Sequence, residues 1–137
     1  YRIADTALTL WQNECAESYC CFEHFMIESR RGAGWHQFSG LSSPIVQWFS
    51  AYYRPGTLTT GFDAFVRHTD WASDNSALNA TLDFTAAGRS TVLAVLQPGP
   101  KAVTASVPCT VTTRHDGLLE LTFALDAPCT VTISIHS

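Results

Sequence analysis

The chain has 137 residues, of which 46% are apolar, and a net charge of −4 with eight Lys and Arg residues in total. This composition is long and apolar enough for a packed core, and it excludes a disordered tail. No run approaches the roughly 18 apolar residues of a membrane span, and the basic residues form no cluster beyond Arg30–Arg31. The sequence therefore predicts neither a nucleic-acid partner nor a membrane partner.

A first helix is predicted near the start of the chain. Its apolar face follows the i, i+4, i+7, i+8 spacing of an amphipathic helix, with Ile3, Ala7, Leu10 and Trp11. Two acids, Glu14 and Glu17, lie one turn apart in the same stretch. Either acid could contact a substrate or orient Glu23, and Glu17 is our candidate for substrate binding; a solvated helix face is the alternative interpretation.

The segment FEHFMIESRRGAGWHQFSGLS, residues 22–42, places carboxylates among large aromatic rings and then runs through three glycines. We expect the chain to be helical near 16–24 and irregular through the glycines. A carboxylate between rings, beside glycines that permit close backbone approach, is typical of a sugar site. Aromatic rings stack on the C–H faces of pyranose rings, and carboxylates and imidazoles hydrogen-bond to hydroxyl groups. The alternative is a solvated Glu23 beside rings that belong to the core.

A second helix is predicted after this segment. Ser42 or Ser43 can cap it, Pro44 suits its first turn, and Arg54-Pro55-Gly56 ends it. One apolar stripe, which places Trp48 in the core, consists of Ile45, Trp48, Phe49, Tyr52 and Tyr53. The helical half carries more large rings than two helices can bury against each other, and exposed rings favour association. We therefore expect further helices, from an upstream segment or another subunit, to cover them.

The second half has the composition of a β-structure. Turn signals containing Gly or Pro separate six predicted strands: Leu78–Thr85, Thr91–Leu96, Val103–Val107, Thr110–Thr113, Leu118–Leu125 and Thr130–Ile135. These strands predict a small antiparallel β-sandwich that acts as an accessory domain. The predicted domains are 1–67, helical and incomplete, and 68–137, the sandwich.

The helical half resembles a known family. The motif Phe22-Glu23-His24-Phe25, a glycine-containing stretch, and Phe38-Ser39-Gly40-Leu41-Ser42 before an aromatic-rich helix look like the C-terminal end of the (α/α)6-barrel glycoside hydrolases related to family 63. The resemblance covers residues 1–54. It implies an α+β fold class, in which the C-terminal helices of an (α/α)6 barrel, an α/α toroid of six helical hairpins, precede the sandwich.

The same resemblance implies an inverting mechanism with Glu23 as the general base. In such enzymes a carboxylic acid protonates the leaving oxygen, while an ionised carboxylate on the opposite side activates water. The general acid of the family has no match in this chain. The expected partners are therefore an oligosaccharide substrate and the remainder of the barrel.

Four further residues are predicted to line the sugar site: His24, Trp35, His36 and Phe38. Trp35 is the candidate stacking platform, with core packing as its alternative. His24 and His36 fit hydroxyl binding and a structural role equally well.

The five cysteines suggest few special sites. Cys20 and His24 have the i, i+4 spacing of a zinc-ligand pair, but no second pair completes it. The prediction is therefore no metal and no cofactor, with most cysteines reduced. A Cys109–Cys129 bridge is the disulfide that the sequence makes worth checking.

Taken together, the sequence predicts an inverting glycoside hydrolase, or its C-terminal portion or subunit. A glycoside phosphorylase on the same barrel is one alternative, because phosphate would then attack directly and no base would be needed. The alternative from a different class is a non-catalytic carbohydrate-binding or adhesion module. A binding sandwich should expose aromatic rings, but residues 77–137 contain only Phe84 and Phe123.

Overall fold

The computed structural model describes residues 2–18, 21–36 and 39–137. Contacts divide the chain into two compact units, residues 1–52 and 53–137. We call them the helical unit and the sandwich unit. The predicted boundary lay at 67/68, whereas this division falls earlier, because the strands that begin at Thr57 and Ala64 pair with strands of the sandwich.

The helical unit contains helix α1 (Arg2–Ser18), strands β1 (Phe22–Phe25) and β2 (Gly32–His36), and helix α2 (Ser39–Tyr53). Strands β1 and β2 pair antiparallel and form a hairpin. The helix expected near 16–24 thus ends at Ser18, and the glycine-rich stretch is a strand. Aromatic residues favour an extended backbone, and glycine allows the two strands to approach closely. A Cβ atom on Gly32 would collide with the Phe22 ring.

The predicted (α/α)6-barrel fold class is therefore wrong. Among the described residues there are two helices and ten strands, arranged in three antiparallel sheets. A β-hairpin separates the two helices, so the described part of the chain contains no succession of helical hairpins from which an α/α toroid or six-hairpin domain could be built.

Helix α2 also begins earlier than predicted. It starts at Ser39, so Pro44 lies inside the helix and not in its first turn. Its end at Tyr53, just before Arg54-Pro55-Gly56, agrees with the predicted stop. Helices α1 and α2 share little buried surface: Leu8 and Ile45 are the buried apolar side chains among those described in this unit. Beside them lies an apolar cavity of about 180 Å³, lined by Leu8, Trp11, Gln12, Ile45, Val46 and Phe49.

The sandwich unit contains the remaining strands: β3 (Thr57–Thr59), β4 (Ala64–Trp71), β5 (Leu78–Phe84), β6 (Gly88–Val95), β7 (Ala102–Ala105), β8 (Cys109–His115), β9 (Leu118–Leu125) and β10 (Cys129–His136). They form two four-stranded sheets. Sheet I has the order β4-β5-β10-β7, and sheet II has the order β3-β6-β9-β8. All six predicted strands are present, whereas β3 and β4 were not predicted.

Alternation of apolar and polar residues builds the core between these sheets. In β5 every second residue from Leu78 to Phe84 is buried, because successive side chains of a strand point to opposite faces. The rings of Phe84 in sheet I and Phe123 in sheet II lie 5.3 Å apart. One cluster of fifteen buried apolar side chains joins the sheets, as in an antiparallel β-sandwich.

Candidate functional site

The β1–β2 hairpin carries the residue predicted as the catalytic base. Phe22 pairs with His36 and His24 pairs with Ala33, so the single residue Glu23 faces two residues of β2, Gly34 and Trp35. This is a β-bulge with its extra residue on β2. Gly34 has φ 86°, a left-handed conformation that glycine adopts readily and that G1 bulges use.

The bulge brings Glu23 and His24 to one point. A Cβ atom on Gly34 would lie 2.7 Å from Glu23 Oε2 and 3.1 Å from His24 Cε1. Both side chains therefore occupy the space that a larger residue at 34 would need. Glu23 and His24 are exposed to solvent, so a ligand can reach the carboxylate and the imidazole from outside the hairpin.

Trp35, the neighbouring residue of the bulge, is 74% exposed. Core packing, the alternative interpretation of Trp35, does not occur within the described part of the chain. The bulge thus contributes a flat apolar ring from β2 and a hydrogen-bond acceptor from β1. This pair of groups is the chemistry that a sugar ring with its hydroxyl groups requires.

The other predicted site residues are placed differently. The backbone of His36 pairs with Phe22 in the hairpin, but its side chain, like the whole of Phe38, lies outside the residues that the structure describes. Glu17 is exposed on α1 and forms an ion pair with Arg31 Nη1 at 2.8 Å. The Glu17 side chain is 64% exposed despite this pair, so its contact with a substrate stays a prediction.

Glu14 is the residue that the sequence interpretation undervalued. Its side chain is 5% exposed, and its carboxylate accepts hydrogen bonds from Arg31 Nε at 2.9 Å, Arg31 Nη2 at 3.3 Å and the Gly32 amide at 2.9 Å. This network ties the last turns of α1 to the first residue of β2. The sequence pattern could have indicated this role, because Glu14 lies at i+7 from Ala7 and so continues the apolar face of the helix. A carboxylate on a buried face needs a cationic partner.

The same contacts shift the pKa values of the pair. The hydrogen bonds from the Arg31 guanidinium and from the Gly32 amide lower the pKa of Glu14 below its usual value, since they favour the ionised form. The hydrogen bond to Glu14 correspondingly raises the pKa of Arg31. Glu14 is thus an ionised anchor for the hairpin, whereas Glu23 is the carboxylate that faces solvent.

A second concave surface lies on the outer face of sheet I. Its cavity of about 320 Å³ is lined mostly by hydroxyl, amide and imidazole side chains: His68, Asn79, Thr81, Thr104, Ser106, Thr132 and Ser134, with Ala80, Ala105 and Ile133. Polar side chains occur here because the outward positions of β5 and β10 alternate with the buried core.

Metal binding is not favoured by the described part of the chain. Within residues 2–18, 21–36 and 39–137, no group of three His, Cys, Asp or Glu side chains could hold a metal ion. Cys20, a member of the zinc pair considered above, is not among these residues. Neither described helix is long and apolar enough to cross a membrane.

Comparisons with family models, with curated proteins and with solved structures find no match to this chain.

Proposed function

We propose that this chain supplies the water-activating base of an inverting glycoside hydrolase, with Glu23 as the general base and an oligosaccharide as the substrate. The observation that carries the proposal is the β-bulge, in which Glu23 faces Gly34 and Trp35 of β2, the Glu23 carboxylate lies over Gly34, and the Trp35 side chain is exposed. Bulges are enriched next to active sites because they redirect a side chain out of the regular ladder.

In the proposed reaction the ionised Glu23 accepts a proton from water as that water attacks the anomeric carbon. The two carboxyl groups of an inverting pair stand roughly 6.5–9.5 Å apart so that the water fits between base and sugar. The sequence interpretation assigns no residue of this chain as the general acid. Hydrolysis of a natural glycoside, whose leaving oxygen must be protonated, therefore also needs a second surface that carries the acid.

Trp35 and His24 have binding roles in this proposal. The indole stacks on one face of the sugar, and the imidazole, which shares the space above Gly34 with Glu23, hydrogen-bonds to a hydroxyl group. Gly34 has a steric role, since any side chain there would collide with the carboxylate. Together these groups orient a sugar relative to the base.

An activated substrate can test the base without the missing acid. Glycosyl fluorides lose fluoride without protonation, so a base and a bound water suffice for hydrolysis. A panel of α- and β-glycosyl fluorides should show fluoride release by the chain, and NMR of the first-formed anomer should show inversion. Glu23→Gln should reduce the rate by about 100-fold to 10,000-fold, the usual contribution of a general base.

Glu28→Gln is the matched control, because Glu28 is an exposed carboxylate in the turn of the same hairpin. We expect Glu28→Gln to hydrolyse at the wild-type rate, and we expect Trp35→Ala to weaken sugar affinity while Glu23→Gln leaves it nearly intact. Equal rates for wild type and Glu23→Gln would remove Glu23 from the mechanism. Retention of anomeric configuration would exclude the inverting class.

The polar concavity of sheet I favours a second candidate, a carbohydrate-binding module. Its volume of about 320 Å³ lies at the lower end of the usual range for ligand pockets, and its hydroxyl and amide side chains suit a polyhydroxylated ligand. Oligosaccharide titrations followed by NMR separate the two candidates. Shifts at Asn79 and Thr132 would indicate the module, and shifts at Glu23 and Trp35 would indicate the hydrolase site.

A further inference from the structure

Two thiols meet at the junction between helix α1 and the hairpin. Cys15 lies in the last turns of α1, and Cys21 directly precedes β1. Their Sγ atoms are 3.9 Å apart, and both side chains are half-buried. The Glu14–Arg31 ion pair joins the same two elements, since Glu14 precedes Cys15 in α1 and Arg31 directly precedes β2.

We propose that Cys15 and Cys21 form a reversible disulfide, which makes this junction a redox-modification site for small-molecule disulfides such as oxidised glutathione. A disulfide needs the sulfurs about 2.0 Å apart, so the two sulfurs must approach each other by side-chain rotation and a small shift of the chain between them.

The chemistry proceeds by two thiol–disulfide exchanges. The thiolate of one cysteine attacks a sulfur of oxidised glutathione, which forms a mixed disulfide and releases one glutathione thiolate. The thiolate of the second cysteine then attacks the protein sulfur of that mixed disulfide and releases the second glutathione. Two cysteine thiols become one disulfide, and the two electrons and two protons end on two glutathione molecules.

The other described cysteines provide an internal comparison. Cys109 lies on β8 in sheet II and Cys129 lies on β10 in sheet I, and neither forms a disulfide in the structure. Burial raises the pKa of the Cys109 thiol, so less of the reactive thiolate forms there. The bridge that the sequence made worth checking is therefore not the one that the structure favours.

The consequence concerns the position of the hairpin. A bond from Cys15 to Cys21 would fasten the end of α1 to the residue before β1, two positions from Glu23. The proposal does not depend on the function of Glu23, because it concerns the thiols alone and is measured on them.

The test uses the full chain, first reduced and then exposed to a series of glutathione redox buffers. We expect the intact mass to fall by two hydrogen atoms, two thiols to disappear from titration with a thiol reagent, and the chain to stay monomeric on a non-reducing gel. Cleavage after Glu17 should leave the two resulting fragments joined until a reductant is added.

Variants assign the bond. Cys15→Ser and Cys21→Ser should each abolish the mass loss, whereas Cys20→Ser and the Cys109→Ser/Cys129→Ser double variant should oxidise as the wild type does. Circular dichroism of every variant, with Cys→Ala replacements where serine perturbs the fold, keeps the comparison valid. Persistence of the bridge in Cys21→Ser, a stable glutathione adduct, a covalent dimer, or no oxidation at all would each overturn the proposal.

Discussion

The sandwich unit and the helical unit bury apolar surface to very different extents. Fifteen buried apolar side chains form one cluster between the two sheets of the sandwich, whereas Leu8 and Ile45 are the buried apolar side chains described in the helical unit. Rings such as Trp35 and Trp48 remain exposed there. The sandwich is therefore stabilised by its core, and the helical unit depends more on specific polar contacts such as Glu14–Arg31.

The largest expected effect comes from the sandwich core. Phe123 is fully buried and contacts the Phe84 ring, so Phe123→Ala should lower the free energy of unfolding by about 3–5 kcal/mol. Urea unfolding followed by far-UV circular dichroism measures this loss. Val111 lies on the neighbouring strand with an exposed side chain, and Val111→Ala is the control. Similar losses for the two variants would contradict the assigned core.

Truncation of a buried side chain in the helical unit should lower the free energy of unfolding by a smaller amount. Ile45 is as well buried as the sandwich core, but few buried neighbours surround it, so the site can collapse after truncation. We expect Ile45→Ala to lie near the lower end of the range for such substitutions, at about 2 kcal/mol. Hydrogen exchange of α1 and α2 amides measures it locally. A loss of stability as large as that of Phe123→Ala would show that buried side chains stabilise the two units equally.

A substitution at the bulge should have the next largest effect. Gly34→Ala places a Cβ atom at positive φ and within 2.7 Å of Glu23 Oε2, and the left-handed conformation alone costs about 1–2 kcal/mol. NMR should show displaced signals at Glu23 and His24, with the sandwich signals unchanged. Gly99 also has positive φ but an open surrounding, so Gly99→Ala is a control that should leave the hairpin signals in place.

Acid should loosen the hairpin through Glu14. The hydrogen bonds from Arg31 and Gly32 lower the folded-state pKa of Glu14 below its usual value, so its contribution to stability is present above the unfolded-state pKa and is lost as the pH falls through the lowered folded-state value. After correction for intrinsic exchange rates at each pH, the protection factors of β1 and β2 amides should fall in that acidic window. Glu14→Gln should show weak protection of the hairpin amides already at neutral pH. Glu17→Gln retains the Glu14–Arg31 contact and should therefore lose protection only in acid, as the wild type does.

The smallest effect should be a gain in stability. Ser90 Oγ is buried and has no hydrogen-bond partner within the described chain. Replacement by alanine removes an unsatisfied polar group, so Ser90→Ala should be neutral or stabilise the sandwich by up to about 1 kcal/mol. Thermal unfolding with Thr91→Ala as the exposed neighbouring control measures it. A loss of stability in Ser90→Ala would show that the hydroxyl has a partner.

Alternation made most of the sandwich predictable. Strand β9 alternates apolar and polar residues and occurs with the predicted bounds, Leu118–Leu125. Strand β4 was missed because most of its side chains are exposed, including Phe65 and Val66. An edge strand that buries little leaves no periodic signal in the sequence.

The helical half was harder to predict because its decisive contacts are not periodic. The sequence singled out Glu23, His24 and Trp35, and these residues share one bulge. The bulge itself depends on the left-handed conformation of Gly34, and the hairpin depends on an ion pair that spans 17 positions. Hydrophobic periodicity, whether of a helix or of a strand, does not indicate such contacts. The sequence interpretation therefore predicted barrel helices where the structure has a hairpin.

Strand β10 lies between β5 and β7 in sheet I, although it follows both in the sequence. During synthesis on the ribosome, β5 therefore has β4 beside it but presents an unpaired edge until residues 129–136 emerge. Such an edge is a template for pairing with other chains, and the long sequence separation slows its closure. A nascent chain stalled before Cys129 should therefore bind chaperones or aggregate, while the completed chain should not.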